Sequence, residues 1–365
     1  MRIGVVQMTK IIHCADLHLD SPMETHMADV QASTRNTEVI HSFLRLTDYA
    51  VKNNVRVVII AGDMFDGNRV KSRTVDEILD AMRRTPEVDY LYLVGNHDDD
   101  TDAFADHSVP NNLKKFDKQW KTYEYDDVAI SGVEMCESNA SSLYQNIPHK
   151  DGSVNIVTLH GQVGFTTGND QVNLSLLKNR GIDYLALGHI HTYSAQPLDN
   201  KGIYCYSGCL EGRGFDECGP KGFVLLEIAE GHIQHKFVPF SCRQLHRISV
   251  DISGLTKNSE IAQKMIQSAK EIGPDDMVEF LLSGAVDPTA NIAISYLQNL
   301  VKQDFFFIKV KDETRMAINP EDYKNDVSLK GEFIRLVLSS DASEEDKASM
   351  IRTGMQALAG EEITL

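Results

Sequence analysis

At 365 residues the chain is longer than the roughly 250–300 at which a single core stops growing, so a large domain with a smaller companion is expected. A composition 42% hydrophobic and 24% charged excludes disordered and fibrous classes. The net charge of −17, with neither half basic, argues against binding nucleic acid by broad neutralisation of phosphates.

In chain order, residues 10–15, 56–61, 90–94, 155–159 and 183–187 are short apolar runs that read as buried strands. Between the first two, Val39, Ile40, Phe43, Leu44, Leu46, Ala50 and Val51 recur at helical spacing, which places a helix from about Thr37. Val75, Ile78, Leu79 and Met82 do the same before the third run. This βαβ rhythm predicts an α/β domain with a largely parallel or mixed sheet. Runs 203–206, 222–228 and 232–240, turned at Gly219-Pro220 and Glu230-Gly231, are expected to form an antiparallel sheet that closes the domain. A second unit follows, with strands at 247–252, 277–282 and 305–310 and helices at 260–270 and 292–302. Two further helices are expected at 329–338 and 344–358. The domains are therefore set at 1–242, 243–325 and 326–365. The six cysteines form no CxxC pair and read as free thiols. The opening MRIGVVQMTK lacks the apolar core of a signal peptide, and no run of 18 apolar residues exists, so a cytoplasmic protein with no membrane span is expected.

Each strand end in the first domain is followed by residues able to bind metal. These are Asp16-Leu17-His18, Gly62-Asp63 with Asp66, Gly95-Asn96-His97-Asp98, His160-Gly161, and Gly188-His189-Ile190-His191. Ligands bind beyond the carboxyl ends of parallel strands, so five such clusters can converge on one crevice. Carboxylates, an amide oxygen and imidazoles without thiolate suit manganese, iron or zinc. Seven donors are too many for one ion and right for two ions sharing a carboxylate, an arrangement that clamps both oxygens of a displacement at phosphorus. Asp–X–His and His–X–His spacing, on extended backbone, puts both side chains on one face.

Over 11–191 these five blocks match, and the chain resembles, the calcineurin-like metallophosphoesterase superfamily. The segment IIHCADLHLDSP is similar to the SbcD/YhaO-like branch, nuclease subunits of double-strand-break repair complexes. The loop Tyr206-Ser207-Gly208 through Leu210-Glu211-Gly212-Arg213 is similar to that branch too. The resemblance implies two mixed β-sheets in a sandwich flanked by helices, followed by a small α/β capping domain and C-terminal helices that dock an ATPase. It also implies two divalent ions, manganese first, with iron and zinc as alternatives. Asp16, His18 and His191 would hold one; Asn96, His160 and His189 would hold the other; Asp63 would bridge. A metal-activated hydroxide would attack phosphorus, His97 would protonate or stabilise the leaving oxygen, and Asp66 would orient His97. DNA as substrate, exonucleolytic or endonucleolytic, an SMC-like, SbcC-type ATPase partner and a homodimer follow from the same resemblance.

Other candidates have plainer readings. His13 lies within a strand and reads as packing, Asp98 as a residue supporting the ligands or a turn, and Cys205 and Cys209 as core or strand thiols. Arg69, Lys71, Arg73, Lys114, Lys115, Lys118 and Arg213 are candidate DNA contacts. Two other functions stay open: a phosphoesterase for nucleotides or cyclic nucleotides, which the −17 charge favours, and a regulatory scaffold for an SMC-like ATPase.

Overall fold

The computed structural model describes residues 8–21, 27, 29–67, 70–98, 103–140, 142–287, 290, 292–316 and 323–359. Arg69 lies outside them. The chain divides into two compact units, Met1–Gln244 and Leu245–Leu365.

In the first unit, Thr9–Cys14 pairs in parallel with Val57–Ala61, that strand with Asp89–Leu93, and that with Leu113–Lys115. On its other side Thr9–Cys14 pairs antiparallel with Gly222–Ala229, whose hairpin partner His232–Pro239 forms the edge. A second six-stranded sheet runs in the order Ser194–Pro197, Ile203–Tyr206, Tyr184–Gly188, Val154–His160, Val128–Gly132 and Lys121–Tyr125. Its four central strands are parallel and its two edges antiparallel.

Alternate residues of each strand serve different cores. Ile11, Ile59, Leu91 and Leu93 meet Ile130, Ile156, Tyr184 and Ala186 in a buried layer between the sheets. Ile12, Val58, Ile60 and Tyr90 pack in another layer with Val39, Phe43 and Leu46 of helix Asp29–Lys52 and Ile78 and Met82 of helix Ser72–Arg83. Val157, Leu159, Leu185 and Leu187 form a third with Val172 and Leu177. Strands covered on both faces need apolar side chains on both, hence the unbroken apolar runs. The result is the expected sandwich of two mixed sheets flanked by helices.

Two local expectations differ. The first helix begins at Asp29, well before Thr37. Arg35 occupies the buried stripe one turn before Val39 and donates to Glu211 Oε2 at 3.0 Å and the Gly212 carbonyl at 2.8 Å. A charged residue on the buried face hides the first turns from any search for apolar periodicity. The segment 203–240 also fails to form one antiparallel sheet. Ile203–Tyr206 joins the second sheet in parallel, while only Gly222–Ala229 and His232–Pro239 pair antiparallel, in the first. A short apolar run carries no information about strand direction, and the irregular stretch from Tyr206 to Gly222 crosses between the sheets.

His13 is fully buried in this core with Nδ1 2.9 Å from the Tyr184 hydroxyl, and burial lowers its pKa to about 3. The unfolded chain takes up a proton near pH 6.5 that the folded state refuses. Stability is thus intact above about pH 6.5 and is lost as pH falls toward 3, by up to about 1.4 kcal/mol per unit. Urea midpoints are expected to fall between about pH 7 and 5, and to fall less steeply in His13→Leu; equal slopes would remove His13 from the account.

The second unit has a three-stranded parallel sheet in the order Leu245–Asp251, Met277–Ser283, Phe307–Asp312, with helices Asn258–Ser268 and Ile294–Val301 as crossovers. Val250, Val278, Phe280 and Leu282 pack with Ile261, Met265 and Leu297. Glu279 is buried between Arg247 at 2.6 Å and Lys311 at 3.0 Å. Helices Leu329–Leu338 and Glu344–Ala359 meet through Ile334, Val337, Ile351 and Met355. Among the described residues no helix is long and apolar enough to cross a membrane.

Candidate metal centre

Five parallel strands deliver the site. Thr9–Cys14, Val57–Ala61 and Asp89–Leu93 of one sheet, and Val154–His160 and Tyr184–Gly188 of the other, all end beside it. The backbone beyond these ends is not extended, as the Asp–X–His spacing had suggested. Asp16, His18, Asp63 and His189 have φ of 52°, 45°, 52° and 100°. Such left-handed residues cost of order 1–3 kcal/mol each and persist only where surrounding contacts fix them. Those contacts are visible: Asp16 N–H donates to the Gly62 carbonyl and His18 N–H to the Asp63 carbonyl, both at 3.0 Å. Asp98 joins the next two loops, accepting from Phe65 N–H at 2.8 Å and Gly95 N–H at 2.9 Å. Gly62, at φ 93°, leaves room for His160, since a Cβ there would lie 2.0 Å from Nδ1.

The structure brings Asp16, His18, Asp63, Asn96, His160, His189 and His191 together. His18 Nε2 and His191 Nε2 face each other at 3.2 Å. Asp16 lies within 4.8 Å of both histidines. Its carboxylate accepts the His189 N–H at 2.9 and 3.1 Å. Asn96 Oδ1 lies 2.8 Å from His160 Nε2 and 3.2 Å from His189 Nδ1. Asp63 stands between the groups: Oδ1 accepts the His97 N–H at 2.9 Å, while Oδ2 lies 3.7 Å from His18 Nε2 and 3.4 Å from His160 Nε2. His97 Nδ1 is 2.9 Å from Asp66 Oδ1, and Ser21 Oγ donates to Asp66 Oδ2 at 2.7 Å.

Electrostatics follow from burial and these neighbours. Burial lifts the Asp16 pKa to about 6, with Asp63 adding to the rise against the pull of His160 and His191. Burial and then the charge of Arg213 lower His18 to about 3. Burial also disfavours ionised Asp63, but the hydrogen bond and charge of His160 hold it well below the usual carboxylate range. For His160 burial opposes protonation and Asp63 outweighs it, raising the pKa to about 9. The space between Asp63, Asn96 and His160 therefore favours positive charge.

A model of the calcineurin-like phosphoesterase family matches residues 9–193, half of the chain, and the chain belongs to that family. It is a phosphoesterase of the metal-dependent kind. Similar curated proteins extend the match. The uncharacterized metallophosphoesterase YhaO of Bacillus subtilis (strain 168) is 25% identical over 292 residues, 75% of this chain and 71% of its own. The DNA double-strand break repair protein Mre11 of Saccharolobus solfataricus is 22% identical over 377 residues, 98% of this chain and 97% of its own. These relatives agree with the SbcD/YhaO-like resemblance. Among solved structures, a dimetal phosphatase from Danio rerio aligns over 64% of this chain and 99% of its own at 12% identity, with a TM-score of 0.41.

The family fold implies two divalent ions, and the residues present fit them. His160 Nδ1–H donates to the Ala61 carbonyl at 2.9 Å, which leaves the Nε2 lone pair for a cation. His191 Nδ1 is engaged by Glu217 Oε1 at 2.6 Å, which frees its Nε2 in the same way. Two imidazole lone pairs facing each other across 3.2 Å are repulsive unless a proton or a cation lies between them. Among the described residues His18 Nδ1 has no hydrogen-bond partner, with Asp66 Oδ1 3.9 Å away, so no hydrogen bond there fixes the tautomer.

The sequence alone did not indicate the residues behind the donors. Glu217 was not singled out, Ser21 stood only within the segment IIHCADLHLDSP, and Arg213 appeared in the loop similar to the SbcD/YhaO-like branch and as a DNA contact, none with a role behind the donors. Arg213 Nη1 donates to Ser21 Oγ and Nη2 to Glu217 Oε1, both at 3.0 Å. Lys221, 2% exposed, donates to the His191 carbonyl at 2.6 Å. Apart from Arg213 and Glu217, four residues apart, their partners lie 26 to 192 positions away, so no local pattern marks them. Four other candidate DNA cations pair with carboxylates, Lys71 with Asp20, Arg73 with Glu77, Lys114 with Asp89 and Lys118 with Glu134, and Lys115 Nζ lies over the Phe104 ring at 4.6 Å.

Proposed function

We propose that the chain is a manganese-dependent phosphodiesterase acting on DNA, an exonuclease or endonuclease of the double-strand-break repair type. The observation that carries this reading is the alignment to the DNA double-strand break repair protein Mre11 across nearly all of both chains, which extends through the second unit as well as the phosphoesterase domain. In this reading Asp16, His18 and His191 hold one ion, Asn96, His160 and His189 hold the other, and Asp63 is shared. Divalent ions held by these residues would supply Lewis-acid chemistry, making water a better nucleophile and offsetting charge on the phosphoryl oxygens.

The protein's own groups do the rest. Asp63 is fixed at Oδ1 by the His97 amide, so Oδ2 is the oxygen it can share. Asp66 accepts from His97 Nδ1, leaving His97 Nε2 to give a proton to the leaving oxygen. Residues 1–242 form the nuclease domain, 243–325 the cap and 326–365 the segment that docks an SMC-like ATPase. Supporting the last assignment, Val327, Leu329 and Leu336 are 97%, 70% and 71% exposed, a cost that a docking surface explains. A cytoplasmic homodimer completes the reading.

Cations paired with carboxylates favour a second reading, a phosphoesterase for nucleotides or cyclic nucleotides, because paired lysines release few counterions on DNA. The test separates them. With manganese the purified protein is expected to hydrolyse bis-p-nitrophenyl phosphate and to shorten an end-labelled linear duplex. Turnover of cyclic nucleotides with the duplex left intact would sink the DNA assignment and keep the esterase.

A further inference from the structure

We infer that Arg213 is a positioning residue that ties the two sides of the site together, holding His97 through Ser21 and Asp66 and holding His191 through Glu217. The inference rests on the reading above for what His97 and His191 do. Its basis is a continuous chain of hydrogen bonds. Toward His97, Arg213 Nη1 donates to Ser21 Oγ at 3.0 Å, Ser21 Oγ donates to Asp66 Oδ2 at 2.7 Å, and Asp66 Oδ1 accepts from His97 Nδ1 at 2.9 Å. Toward His191, Arg213 Nη2 donates to Glu217 Oε1 at 3.0 Å and Arg213 N–H to Oε2 at 2.8 Å, while His191 Nδ1 lies 2.6 Å from Oε1.

Directions along the chain are forced. Guanidinium can only donate, and the serine hydroxyl has one proton, so Ser21 accepts from Arg213 and passes its own proton to Asp66. Asp66 must then accept from His97, which puts a proton on Nδ1 and makes Nε2 the working nitrogen. Glu217 Oε1 already accepts from Arg213 Nη2 and Oε2 from the Arg213 amide, so its close contact with His191 Nδ1 is that of an acceptor with Nδ1–H. The 3.5 Å approach of Arg213 Nη2 to that Nδ1 is therefore a meeting of two donors and no hydrogen bond. One guanidinium thus sets the tautomer of both histidines.

Arg213 is held for this task and hidden from solvent. Its side chain is 17% exposed, and its Nε is buried with no partner among the described residues. The preceding residue is anchored through the Gly212 carbonyl to Arg35, and Glu211 accepts from Ser42 Oγ and the Cys242 amide, both at 2.5 Å. A buried, doubly engaged guanidinium is poorly placed to contact DNA, and only a planar fork reaches Ser21 and Glu217 at once.

Three variants separate the two arms. For Arg213→Gln, kcat should fall about tenfold further for a dinucleotide, whose alkoxide leaving group needs a proton, than for bis-p-nitrophenyl phosphate, with KM changed less than about threefold. Calorimetric Mn2+ affinity should fall about 10–100-fold. Ser21→Ala should reproduce the leaving-group effect with Mn2+ affinity intact, and Glu217→Gln the Mn2+ defect. Arg213→Lys should restore one arm at most. Unchanged Mn2+ affinity together with equal losses for both leaving groups overturns the inference, as does a raised KM at constant kcat, which would mark a direct phosphate contact. If Arg213→Gln does not fold, the Ser21 and Glu217 variants carry the same comparison. If the unaltered protein cleaves neither ester, the functional reading fails and the Mn2+ comparison still decides this one.

Discussion

Asp63→Asn is expected to remove both metal binding and turnover, with a loss of more than about 10³-fold in kcat. Two contacts and a charge make this the largest single effect. Asp63 Oδ2 approaches both His18 Nε2 and His160 Nε2, at 3.7 and 3.4 Å, so one substitution weakens both halves of the site. Its charge also offsets the burial that opposes positive charge at His160. The amide is nearly isosteric, and its oxygen can still accept the His97 N–H that Asp63 Oδ1 now accepts at 2.9 Å. The metal-free variant should therefore melt close to the metal-free parent. Added manganese should separate them: a ligand at about 1,000 times its Kd stabilises the folded state by about 4 kcal/mol, and the variant should show none of this. A variant whose melting point rises with manganese as the parent's does would show that Asp63 is not the shared ligand.

The donors and the support behind them were unequally legible in the sequence. Asp16, His18, Asp63, Asn96, His160, His189 and His191 were visible because each follows an apolar strand within a few residues, and strand ends are where an α/β fold gathers its ligands. Their backbone was less legible. Asp16 and His18 converge through left-handed turns tied to Gly62 and Asp63, a long-range hydrogen-bond pattern that spacing along one strand cannot report. Ser21 and Glu217 are common residue types whose meaning lies wholly in Asp66, Arg213 and His191, each brought near by folding. Arg35 shows the same limit in the fold itself. A buried charge paired with Glu211 breaks the apolar stripe, so the helix is longer than its periodicity. The net charge misleads for a related reason. At the centre itself Asp16 and Asp63 are the only carboxylates among the seven proposed donors, and bound divalent ions would reverse the local sign.

His97→Ala is expected to lower kcat by about 10²–10⁴-fold while leaving metal binding and stability near the parent values. Its side chain is 50% exposed, so truncation opens no cavity, and Nδ1 is already committed to Asp66 at 2.9 Å. His97, Asp66 and His18 do form a third group close enough to hold an ion. Against that role, Asp66 already accepts from both Ser21 and His97, and His97 Nδ1, the nitrogen facing it, is committed to that hydrogen bond. The two roles give different results. If His97 donates a proton, manganese stoichiometry in His97→Ala is unchanged and the loss grows with the pKa of the leaving alcohol. A smaller loss of the same kind should appear in Asp66→Asn, which keeps a hydrogen-bond partner for Nδ1 but lets the amide present a donor there and loosen the orientation of His97. If His97 instead binds metal, His97→Ala loses an ion and is slowed equally for every leaving group, because the chemistry lost is activation of water and not protonation of the departing oxygen.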